Sequence, residues 1–254
     1  MGCGPSKPQA KRGAQQQQGG VLTIGAPQDV MIHVPRNRVD EHGRPIQQIT
    51  RDIDRDMLSA ALKHVARYIA QRRQHVTTVA VGGAVNILYL RSRSVTHDID
   101  VFGSDFTNQD RSLLDEAMQD ARRRFPELGT DWLNTETQMW MTGPMHQELT
   151  AGARRQDVRI FDEAGLTIYA APWEYAFSAK ISRILTGGHQ ARPYDLADAV
   201  TYIHQYIRTH GNQPVRVATA LGWARLYHHE MTENILRTRV NSEYRRHYST
   251  NAFV

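Results

Sequence analysis

Apolar residues recur four apart at Ile53, Met57, Ala61, Val65 and Ile69, which predicts a helix with one buried face. Asp52, Asp54 and Asp56 cluster at its start, where the positive end of the helix dipole favours carboxylates. The period then shortens. Residues 75–81 form a short apolar run that reads as a first strand, and Gly82-Gly83 opens a helix-like segment ending near Leu90. Residues 98–102 alternate polar and apolar as a second strand. Leu113, Leu114, Ala117, Met118 and Ala121 share one face of a helix capped by Thr107 or Asn108 and closed by Pro126. Residues 132–149 carry no legible period. A β-hairpin is predicted from 157–161 and 166–170 around a turn at 162–165. From Pro172 onward the pattern is helical, over 173–185, 195–208 and 214 to about 248.

This order predicts an α/β protein of the α+β kind: a small mixed sheet flanked by helices, with a helical C-terminal portion. Three stretches are expected: a tail over 1–48, an α/β domain over 49–171 and a helical region over 172–254. The tail is poor in large apolar residues and holds Gln15 to Gln18 between glycines, so it reads as unfolded, with short strands at 21–24 and 30–34 docking on the domain. With 254 residues and 40% hydrophobic content, the chain can bury one substantial core plus a helical extension.

Charge and cysteine usage narrow the setting. Thirty-one Lys+Arg against 26 Asp+Glu give +5, a mildly basic balance that suits nucleotides, RNA or an anionic membrane surface without selecting among them. A single cysteine rules out an internal disulfide and points to a reducing, cytoplasmic setting. No apolar run reaches membrane-spanning length, and no secretory segment is present. The start Met1-Gly2-Cys3-Gly4-Pro5-Ser6 fits N-myristoylation on Gly2, with Cys3 as the neighbouring palmitoylation site. Two acyl groups would anchor the chain on the cytoplasmic face of a membrane, where one alone binds marginally.

The densest chemistry lies between Val79 and Phe102. Asp98 and Asp100 stand two apart on a strand and share a face, while Ile99 and Val101 point to the core. Two carboxylates side by side repel unless a cation lies between them, and oxygen donors suit Mg2+ or Mn2+. Gly82-Gly83 lets backbone approach a phosphate, and the helix behind it favours an anion. A turn glycine pair and two solvent-facing aspartates would be the plainer reading of either element alone.

Taken together, Val81-Gly82-Gly83 and Asp98-Ile99-Asp100-Val101 resemble the signature of the nucleotidyltransferase superfamily with the polymerase-β-like fold. The segment Thr96-His97-Asp98-Ile99-Asp100 is similar to the Arg-x-Thr-x-Asp-x-Asp form of minimal nucleotidyltransferases, with Arg93 one place further from Thr96, read as a one-residue insertion in the turn. Downstream, Lys180 on a helix is followed by Arg192-Pro-Tyr-Asp195-Leu-Ala-Asp198, which looks like the later motifs of AbiEii-like, toxin-type nucleotidyltransferases. Tyr194 stands where that pattern has a second basic residue. The resemblance covers roughly residues 76 to 207.

The resemblance implies catalytic Asp98, Asp100, Lys180 and Asp195, with Asp98 and Asp100 holding Mg2+ or Mn2+. It implies Gly82, Gly83, Arg93 and Thr96 around the phosphates of a nucleoside triphosphate. Lys180 would balance charge as pyrophosphate leaves, and Asp195 would orient Lys180 or take a proton from the incoming hydroxyl. Arg192 and Asp198 admit the plainer reading of a surface pair. A third carboxylate is expected from Asp157, inside the first hairpin strand, with Glu136 behind it. The acceptor would be an RNA end, a protein side chain or a small molecule. The rival expectation is a catalytically inactive nucleotide- or partner-binding module of the same fold, tethered to membrane by its tail. A third is an RNA-binding regulator using Arg237, Arg239, Arg245 and Arg246 with Tyr244 and Tyr248. His204, His210, His228 and His229 lack metal-ligand spacing, and Trp132, Trp140, Trp173 and Trp223 read as packing residues.

Overall fold

The computed structural model describes residues 49–135, 141–187 and 191–254. Gly2 and Cys3, the strands expected at 21–24 and 30–34, Glu136 and Trp140 lie outside the described residues.

A two-residue strand, β1 (Ile53–Asp54), leads directly into α1 (Arg55–Gln71), and Asp54 caps that helix by accepting the Met57 N–H. Ile53, expected on the helix, instead pairs across β1 with Thr96, because long-range pairing overrides the local period. The first main strand, β2 (Val76–Val81), runs into Gly82 and then α2 (Gly83–Val85), which widens into a π-turn over Asn86–Leu90. Next come β3 (Val95–Thr96), β4 (Ile99–Phe102) and α3 (Asn108–Arg124). Thr107 and Asp110 form a reciprocal capping box at the start of α3, and its five expected inward residues are all buried.

The stretch without a legible period supplies β5 (Leu133–Asn134) and α4 (Gly143–Gln156). Pro144 lies in the first turn of α4, where no N–H partner is needed. The hairpin follows as β6 (Arg159–Glu163) and β7 (Leu166–Ala170), then the helices α5 (Trp173–Thr186), α6 (Asp195–Thr209) and α7 (Val217–Leu226). The chain ends in α8 (Glu233–Ile235), a π-turn over Leu236–Val240, and α9 (Asn241–Tyr248).

The sheet is mixed, in the order β5-β4-β2-β7-β6. Strand β2 runs antiparallel to β4 and parallel to β7, while β4 runs parallel to β5. Pleating divides the side chains between two faces. Ala80, Ile99 and Val101 join the large core with residues of α1 and α3, whereas Val79 and Phe102 pack on the other face with Leu149, Ala153, Tyr175 and Tyr227. The helical C-terminal portion shares the large core through Trp173, Phe177, Ile181, Ile203 and Phe253. No helix of the described residues is long and apolar enough to cross a membrane.

Candidate functional site

Asp100 lies within β4, and Asp98, expected as the first residue of that strand, immediately precedes it. Ile99 and Val101 are fully buried, while Asp98 and Asp100 are half-buried. Register aligns Asp100 with Val81, the last residue of β2, so the Gly82-Gly83 turn begins beside the carboxylates. Burial raises the Asp98 pKa first, and the neighbouring Asp100 charge raises it further. That is the electrostatic frustration a divalent cation would relieve, and the donor set fits a hard, oxygen-binding ion. Among the described residues no group of three or more His, Cys, Asp or Glu converges for a metal. Asp98 and Asp100 are the residues that would hold such an ion.

The turn is built for close packing. Gly82 adopts φ +74°, a region that favours glycine. A side chain on Gly83 would overlap the Thr96 hydroxyl. Thr96, expected to contact phosphate, is buried, and its hydroxyl donates to the Asp98 carbonyl at 3.1 Å. It positions the acidic strand against the turn and offers no open face to a ligand.

Lys180 and Asp195 are brought together, with a third residue between them and the turn. The Lys180 ammonium lies 2.7 Å from Asp195 Oδ1 and 2.7 Å from Asp198 Oδ2. Asp195 and Asp198 are one turn apart at the start of α6 and so share a face. Asp198 also accepts from Asn86 Nδ2 at 2.7 Å, from Arg93 Nε at 2.9 Å and from Arg93 Nη2. The reading of Arg192 and Asp198 as a surface pair is therefore wrong: Asp198 is 2% exposed and receives donors from three separate segments. Its signal was its place three residues after Asp195, on the same helical face.

Asp195 is fully buried. Burial alone would raise its pKa, but the hydrogen bonds from Lys180 and the Arg192 N–H, with the Lys180 and Arg183 charges, hold it below the ordinary carboxylate range. Of the two roles its position suggests, this environment suits orienting Lys180. A proton acceptor for an external hydroxyl needs access and a higher pKa. Arg93 reaches the glycine turn, since its Nη1 lies 3.7 Å from where a Gly83 Cβ would stand, and its Cζ stacks 3.6 Å from the Tyr194 ring centroid. The Tyr202 hydroxyl donates to the Gly82 carbonyl at 3.1 Å, a second tie between α6 and the turn.

The expected third carboxylate is corrected. Asp157 is not in a strand: it ends α4 in a left-handed conformation at φ +49° and pairs with Arg159 on the surface. Strand β6, which follows it, is separated from β4 by β2 and β7. The residue beside Asp100 in the sheet is Asn134, whose Nδ2 donates to Asp100 Oδ1 at 2.8 Å. A two-residue strand carries too little pattern for sequence reading to find it.

Elsewhere, Arg237, Arg245 and Arg246 are engaged by Glu233, Asn251 and Glu243, and Tyr244 is buried. Trp132 and Trp173 are core residues.

Fold and site together define an α/β protein with a mixed five-stranded sheet that carries an acidic pair beside a Gly-Gly turn. A family model described as a domain of unknown function, DUF7582, matches residues 51–251, and the chain belongs to that family. No curated protein and no solved structure matches it.

Proposed function

We propose that this chain is a nucleotidyltransferase-like protein that transfers a nucleoside monophosphate from a nucleoside triphosphate to a hydroxyl acceptor. The observation that carries the reading is the half-buried Asp98 and Asp100, two apart at the start of β4, with Asp100 aligned on the end of β2 beside a glycine turn tied to a buried Lys–Asp network. Asp98 and Asp100 would hold Mg2+ or Mn2+, which when bound supplies Lewis-acid polarisation of the phosphoryl oxygens. The open space over Gly82 would let phosphates approach the backbone, while Thr96 closes the side of Gly83. Thr96, Tyr202 and Asp198 keep that turn, the acidic strand and α6 in one geometry. The acceptor class, RNA end, protein side chain or small molecule, follows from whichever product is labelled. Incubation with labelled nucleoside triphosphates, Mg2+ and each acceptor class tests the reading; neither transfer nor nucleotide binding would end it.

A second reading is a nucleotide- or partner-binding module without turnover. Asn134 beside Asp100, and a Lys180 ammonium enclosed by two carboxylates, favour it. Calorimetry separates the two. Nucleotide binding that survives Asp98→Ala, with no transfer by the parent, selects the module. Tethering through Gly2 and Cys3 belongs to either reading, and mass spectrometry of the protein from a eukaryotic host, with a Gly2→Ala control, tests it.

A further inference from the structure

Four cations stand near the site, and they fall into two groups. Lys180 and Arg93 face Asp195 and Asp198, two charges against two, inside a network that is buried and neutral as a whole. Lys180 has three N–H donors, and two are spent on those carboxylates. Its side chain is 7% exposed. Arg93 spends its Nε and Nη2 on Asp198 and one ring-stacking face on Tyr194. Charges neutralised in this way hold helices to the turn and have little left for a ligand.

Arg183 and Arg192 differ. Arg183 lies one turn beyond Lys180 on α5, its side chain 42% exposed, with Nη1 no nearer than 3.8 Å to Asp195 Oδ1, an atom already bonded to Lys180. Arg192 is exposed, and its guanidinium donates to the Tyr194 hydroxyl at 2.8 Å, while its backbone N–H is fixed on Asp195 Oδ2. Among the described residues it makes no ion pair. Both arginines are thus mounted on the outer rim of the buried network, which adjoins the glycine turn through Arg93. Thr96 joins that turn to Asp98.

We infer that Arg183 and Arg192, and not Lys180 and Arg93, are the side chains that take the phosphates of the nucleotide. Guanidinium forks suit phosphate oxygens, and a metal-bound triphosphate remains an anion that two exposed, weakly engaged cations on the rim of this network complement. The buried network then positions these arginines and touches no substrate. This inference rests on the nucleotide reading above.

Titration of the full chain with inorganic tripolyphosphate and with a non-hydrolysable ATP analogue, both with Mg2+, tests it. The Arg183→Ala/Arg192→Ala variant is expected to weaken both probes at least about 10-fold while its thermal midpoint stays within a few degrees of the parent, because both side chains are largely exposed and Asp195 keeps its bond to Lys180. Arg183→Lys/Arg192→Lys should recover part of the loss. Unchanged affinity in the double alanine variant, or binding of the ATP analogue with none of tripolyphosphate, overturns the assignment and leaves the nucleotide reading standing. A parent that binds neither probe removes both.

Discussion

Lys180 and Asp198 are held 2.7 Å apart on neighbouring helices, and each is almost fully buried. The pair is the centre of a hub, since the same carboxylate also receives Asn86 and Arg93. Removing one partner from a buried ion pair leaves an uncompensated charge, which typically costs about 3–5 kcal/mol. Asp198→Ala should therefore lower unfolding free energy by roughly that amount in urea titration. Asp198→Asn keeps acceptors for part of the network and should cost less. A loss below about 1 kcal/mol for the alanine variant would mean the hub does not hold α6 to the turn.

Gly83 and Thr96 make a second coupled pair. A methyl group at Gly83 would overlap the Thr96 hydroxyl and stand 3.1 Å from its Cβ. Gly83→Ala should cost about 1–3 kcal/mol, as overpacking in closed sites does. Thr96→Ala alone loses the hydrogen bond to the Asp98 carbonyl, worth about 1 kcal/mol. The double variant should be more stable than the two losses added, because removing the hydroxyl relieves the overlap. Strict additivity in thermal or urea unfolding would show that the turn has moved away.

Much of this was legible in the sequence because it is local. The α1 and α3 faces, the alternation around Asp98 and the hairpin are all set by spacing that a window of residues contains. What was not legible depends on distant partners. Leu133–Asn134 becomes a strand only because β4 lies beside it, and Asp198 becomes a hub only when α5, the turn at Asn86 and Arg93 converge. Asp157 misled because strand propensity reads through a helix end, where a left-handed residue bonded to Ala153 closes α4. Lys180 was found, but the degree of its enclosure was not, since no spacing rule tells a helical lysine that faces solvent from one that faces two buried acids.

Asn134 beside Asp100 gives a prediction about the ion. Its Nδ2 donates to Asp100, so Asn134→Asp replaces a hydrogen bond with a like-charge contact. Without divalent ions the variant should unfold about 1–3 kcal/mol more easily than the parent. Mg2+ or Mn2+ should restore part of that loss, and should raise the variant's thermal midpoint more than the parent's, because ligand binding to the folded state adds stability. Equal shifts with and without the ion in both proteins would count against a cation at Asp98 and Asp100.

His229 sets the behaviour of the fold in acid. It lies 3.0 Å through Nδ1 from the buried Ser178 hydroxyl, with the Tyr175 and Tyr227 rings beside it. Burial first, and the His228 charge second, lower its pKa to about 4. The unfolded chain binds this proton near pH 6.5 and the folded chain does not until about pH 4, so unfolding gains protons between those values. Stability is therefore intact above about pH 6.5 and falls as pH drops towards 4, by up to about 3 kcal/mol from this group. His204 and His146, both lowered by burial and then by Arg208 and Arg111, act in the same direction. Urea midpoints measured from pH 7 to 4.5 should fall more steeply in the parent than in His229→Gln, which has no proton to gain. Parallel curves would show that the imidazole is protonated as readily in the folded chain as in the unfolded one.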